Sequence, residues 1–96
     1  MANHNDWRGR ADKKLWSLMT RQLRAAERHM HAFAAEAGVP SPSPLTRRLE
    51  RAQAFAAVAH ARELARFCYS TEQRRLAMRA VGRTAKALRL IVPDAS

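Results

Sequence analysis

The chain has 96 residues, enough for one domain but not for two independent cores. A hydrophobic fraction of 47% and a charged fraction of 27% belong to a globular chain and exclude a disordered or low-complexity one. Eighteen Lys and Arg stand against eight Asp and Glu, a formal net charge of +10, and fifteen of the eighteen cations are arginine.

The first predicted element is a helix over about 12–37. Trp16, Met19, Leu23, Ala26, Met30, Phe33 and Ala37 recur every three to four residues, with Leu15 and Leu18 beside them. Asp6 or Asp12 serves as its N-cap or first-turn acid. Gly9 makes the start prone to fraying, and Gly38 is expected to end the helix in a left-handed conformation. Residues 38–43 then form a Pro/Ser linker, in which each proline disfavours helix in the residue before it.

Ser43 reads as an N-cap, with Pro44 at the first position of a second helix over about 44–68. Its expected inward residues are Leu45, Leu49, Ala52, Ala56, Ala59, Leu64 and Phe67, flanked by Phe55 and Val58. Ser70 and Gln73 have capping-box spacing, so a third helix should run from about 71 to 92. Leu76, Ala77, Ala80, Val81, Thr84, Leu88 and Ile91 form its apolar side, and Pro93 stops it. No strand alternation and no fixed-period repeat is present. The predicted fold is all-α: three helices of about 39, 37 and 33 Å in an elongated antiparallel bundle. Trp16, Leu23, Met30, Phe33, Leu49, Phe67, Leu76 and Leu88 are its expected core. Many inward positions are alanine, so apolar surface is expected to remain for association with a copy of the chain or with another protein.

The cations are periodic. Arg10, Lys14, Arg21, Arg24, Arg28 and His31 lie opposite the Trp16 stripe. Arg48, Arg51, Arg62 and Arg66 share a face of the second helix, as do Arg75, Arg79, Arg83 and Lys86 on the third. Any amphipathic helix carries a charged outer face, but a merely solvated one mixes both signs. Here the acids are expected to pair locally, as Arg24/Glu27, Arg47/Glu50, Glu63/Arg66 and Glu72/Arg75, leaving the excess of ten uncompensated. Arginine suits bidentate phosphate contacts, so these residues are the candidate nucleic-acid ligands.

Other chemistry lacks its residues. A helix-turn-helix register would put Gly82 in the turn and leave the apolar segment 85–92 as recognition helix. His29 and His31 point about 200° apart on a helix and cannot share a metal. His60 and Cys68 are two turns apart with no third ligand; His60 reads as a half-buried helix residue. No P-loop, dinucleotide fingerprint, paired carboxylates or oxyanion loop accompanies them, so neither catalysis nor a cofactor is expected. Trp7 and Tyr69 are the candidate stacking aromatics. A basic amphipathic first helix also suits a membrane surface, but the bundle needs its apolar face. One cysteine excludes an internal disulfide, and the polar N-terminus lacks a secretory h-region; both fit a cytoplasmic protein.

The expected function is non-catalytic binding of DNA or RNA through phosphates. By architecture alone, the chain is similar to small helical subunits of ribonucleoprotein machines, such as those of CRISPR effector complexes, which line a nucleic-acid path. The alternative is a regulator or inhibitor of phage or mobile-element type that docks on an acidic protein. A continuous basic groove across two helices favours the first; a compact patch ringed by exposed apolar residues favours the second.

Overall fold

The computed structural model describes residues 6–92. They form α1 (Asp6–Glu36), α2 (Pro44–Arg66) and α3 (Thr71–Ile91), and the described residues contain no strand. The architecture is an elongated all-α bundle with a cross-section of 18 × 15 Å. The α1–α2 interface is the most extensive, and α3 is held by smaller interfaces with both. The early part of α1 meets the α2–α3 corner, while His29 in its second half donates through Nδ1 to the Glu50 carboxylate at 2.6 Å. α1 and α2 are therefore antiparallel, and α3 returns alongside α1. Pro93, the expected stop of α3, lies outside the described residues.

α1 begins six residues before the predicted start, with Asp6 in its first turn. Tertiary contacts carry the helix across Gly9. Trp7 packs edge-on against Tyr69, centroids 5.0 Å apart, and the Arg8 guanidinium lies over both rings. Asp12 does not cap α1. It is buried inside the helix and accepts the backbone N–H groups of Tyr69 at 2.7 Å and Ser70 at 2.9 Å, so it caps the α2–α3 corner instead. Arg74 closes the same corner by donating Nε and Nη2 to the Cys68 carbonyl.

Gly38 also departs from expectation, since no glycine among the described residues has a positive φ. α1 ends through tight i→i+3 bonds, with the N–H groups of Ala37, Gly38 and Val39 donating to Ala34, Ala35 and Glu36. Those bonds satisfy the terminal carbonyls without a left-handed residue. The Glu36 carboxylate then accepts the Ser43 N–H at 2.7 Å and ties the linker back. Both predicted N-caps form: Ser43 Oγ accepts from the Thr46 N–H and Ser70 Oγ from the Gln73 N–H.

The core contains Met19, Leu23, Met30, Phe33 and Leu88, with Trp16 partly buried against it. The predicted inward face of α2 is corrected. Leu45, Leu49, Ala52, Ala56, Ala59 and Phe67 are exposed, and α2 buries Ala54, Ala57, Val58, Ala61 and Ala65, followed by Cys68. Small side chains let α1 and α2 approach closely, which the leucine face would prevent. On α3, Leu76 and Ile91 are exposed, and Ala77, Val81, Thr84, Ala85 and Leu88 face inward. His60, expected half-buried, is exposed.

α3 continues unbroken through Gly82, so no helix-turn-helix forms there. A Cβ at Gly82 would meet nothing within 4 Å. Gly82→Ala should therefore raise unfolding free energy by about 0.5–1 kcal/mol in denaturant titration, because the glycine costs helix entropy and makes no compensating contact. A loss of stability would mean that α3 bends at this point.

The Cys68 thiol is buried. Burial, and secondarily the Asp12 carboxylate, push its pKa above the ordinary thiol value against the opposing pull of Arg74. The thiolate is the reactive form. Iodoacetamide should therefore label the native protein far more slowly than the unfolded chain, at a rate that follows transient opening of the corner. Labelling equally fast with and without denaturant would contradict the burial.

Candidate functional site

The outer face of α1 follows from its helical period. With Met19, Leu23, Ala26 and Met30 turned inward, Arg10, Lys14, Arg21, Arg24 and Arg28 project on the opposite side, and all five are exposed. α3 runs beside this helix and presents Ala80, Thr84 and Ala87 to it. Those short side chains leave a groove of about 390 Å³ between the helices, floored by Trp16, Met19 and Leu23 and bordered by Arg24 and Arg83. A second depression of about 510 Å³ continues over α1 and is lined by Trp16, Ser17, Thr20, Arg21, Arg24 and Arg28. Trp16, Thr20 and Arg24 belong to both, so the two form one strip.

Four arginines from two helices thus border a single concavity, against one carboxylate, Glu27. The indole of Trp16 and the hydroxyls of Ser17, Thr20 and Thr84 add an apolar surface and hydrogen-bonding groups. Such an arrangement can hold a polyanion, with guanidinium groups on phosphate oxygens and the local field reinforced by the net charge.

The ion pairing differs from expectation. Of the four predicted Arg–Glu pairs, the described residues form only Arg66–Glu63, at 3.1 Å. Glu50 is taken by His29 instead of Arg47, and Glu36 and Asp12 accept backbone N–H groups. Tertiary and backbone donors have claimed these three acids, and Arg24 and Glu27 form no ion pair with each other.

The remaining predicted cations are distributed elsewhere. Arg10 and Lys14 extend the α1 face toward the corner. Arg75, Arg79 and Lys86 are exposed on α3 but do not line the strip. Arg48, Arg62 and Arg66 are exposed on α2. Arg62 instead joins Arg89 and Phe55 along an α2–α3 crevice of about 400 Å³. Arg51 is not freely exposed: it is half-buried with its guanidinium 5.1 Å from the Phe55 ring centre. Arg47 similarly covers Phe33 at 4.3 Å. The four-residue spacing of Arg51 and Phe55 was the available sequence signal for stacking. Arg8 and Arg74 are structural cations of the corner, and no local pattern marks them. Arg89 was also missed, because it lies on the flank of α3 nearer its buried face than the Arg79/Arg83/Lys86 row.

Among the described residues, no group of three or more His, Cys, Asp or Glu side chains is placed to hold a metal ion. No described helix is long and apolar enough to cross a membrane. The apolar face of α1 that a membrane surface would need is packed into the bundle. Comparison with protein-family models, with curated proteins and with solved structures finds no significant match to this chain.

Proposed function

We propose that this chain is a non-catalytic nucleic-acid-binding protein that grips the phosphate backbone along the α1–α3 strip. The observation that carries this reading is the convergence of Arg21, Arg24 and Arg28 from α1 with Arg83 from α3 on one concavity. A solvated helix face has no reason to gather cations from two helices around a partly apolar floor. Arg10 and Lys14 continue the same face and supply weaker, peripheral attraction. The strip offers no row of amide side chains at a helix start to read base edges, so binding is weakly sequence-dependent. That behaviour suits a small helical subunit lining a DNA or RNA path within a ribonucleoprotein assembly, inside the cell.

Fluorescence anisotropy with labelled DNA and RNA, repeated across salt concentrations, tests the reading. Four phosphate contacts to a duplex give a log–log salt slope of roughly −3.6, and somewhat less for a single strand. Arg21→Ala, Arg28→Ala or Arg83→Ala should each weaken binding about equally for every sequence and flatten the slope by nearly one unit. Arg24→Ala should do the same, since Glu27 does not neutralise it. No retention of either nucleic acid at low salt, or a slope near zero, would overturn the proposal.

A further inference from the structure

α2 carries two apolar faces, and the bundle uses one. On the other, Leu45 is 63% exposed and Leu49 53%, followed by exposed Ala52, Ala56 and Ala59. At about 100° per residue these five side chains fall within a sector of about 80°. From Leu45 to Ala59 they repeat at four- and three-residue intervals, the seam of a helix that packs against another helix. Leucines stand at its N-terminal end, alanines form a shallow trough after them, and Glu63 follows on the same line. None of the residues lining the α1–α3 strip belongs to α2, so this face is separate from the proposed nucleic-acid site.

The charges beside the seam select the occupant. Arg48 and Arg62 border the same edge two heptads apart, about 21 Å along the axis. Glu63 is the acid on this face, and it is already paired with Arg66. A second copy packed antiparallel about the level of Phe55 would set Arg48 against the copy's Arg62 at both ends of the interface. Such like-charge contacts are destabilising and add to the mutual repulsion of two chains at +10 each. We infer that the outer face of α2 docks an acidic amphipathic helix of another protein. Large apolar side chains of that helix fill the Ala52–Ala59 trough, and carboxylates flanking them meet Arg48 and Arg62.

The probe is a synthetic 21-residue helical peptide with leucine at the seam positions and glutamate beside them, titrated into the full chain by calorimetry. Because any acidic peptide is drawn to a basic protein, the decisive variant is Ala56→Arg. It adds positive charge and would strengthen a purely electrostatic complex, but it blocks the trough. Docking on the seam predicts at least about a tenfold loss of affinity for Ala56→Arg. The double variant Arg48→Glu/Arg62→Glu should shift preference to the same peptide with lysine in place of glutamate. These positions are exposed, and circular dichroism and thermal melts verify that each variant keeps its fold. Absence of binding, or binding unchanged or strengthened by Ala56→Arg, overturns the inference. So does a wild-type dimer in analytical ultracentrifugation that Ala56→Arg dissociates, which would make a second copy the occupant.

Discussion

Replacement of Asp12 by alanine is expected to cost about 3–6 kcal/mol of unfolding free energy, since each of two charge-assisted hydrogen bonds contributes about 1.5–3 kcal/mol and the freed N–H groups are left without that acceptor. Both carboxylate oxygens are engaged, one with the Tyr69 N–H and the other with the Ser70 N–H. The side chain is 7% exposed, so water does not readily take its place. Small domains have about 5–15 kcal/mol in total, so this one residue is worth a large fraction. Asp12→Asn should be intermediate, because its amide offers one acceptor oxygen for two donors. Urea titration measures the loss, and hydrogen exchange at the Tyr69 and Ser70 amides should accelerate with it. A change below about 0.5 kcal/mol, the range of ordinary surface substitutions, would mean that the corner is held by Trp7, Arg8 and Arg74 without the carboxylate.

Truncation of the core should divide the leucines by face. Leu23→Ala and Leu88→Ala are expected to cost about 2–5 kcal/mol each, from lost transfer energy plus a residual cavity. Leu23 is 7% exposed and Leu88 1%. Leu45→Ala and Leu49→Ala, on the outer face of α2, should remain within about 0.5 kcal/mol. The comparison uses one chemical change at four positions, so the denaturation midpoints report burial directly. Leu49→Ala matching Leu23→Ala would invert the observed face of α2 and remove the seam on which an acidic helix is proposed to dock. Equal, small losses at all four positions would indicate a bundle without fixed packing.

Element identity and boundaries were largely legible before any tertiary information. Ser43 with Pro44, and Ser70 with Gln73, are local devices: each satisfies N–H groups that any helix start leaves open, so their effect does not depend on the rest of the fold. The stripe of α1 was also legible, because Met19, Leu23, Met30 and Phe33 leave one side of that helix far more apolar than the other. The excess of arginine and the outward face of Arg21, Arg24 and Arg28 follow from the same periodicity. The early start of α1 was not legible, since Gly9 argues against helix locally and Trp7 and Arg8 answer through Tyr69, some sixty residues away in sequence.

The sequence by itself thus determined three helices, the N-caps of α2 and α3, the buried stripe of α1 and the excess of positive charge. Tertiary structure alone decided which face of α2 goes inward. Periodicity marks both of its apolar stripes and favours the one with larger side chains, whereas close approach to α1 needs the alanines at 54, 57, 61 and 65. Tertiary structure also decided the partners of Asp12 and Glu50, and it brought Arg83 to the groove beside Arg24. Those pairings join residues far apart in the chain. Local propensity acts over a few residues, and only the packing of one helix against another determines which distant side chains meet.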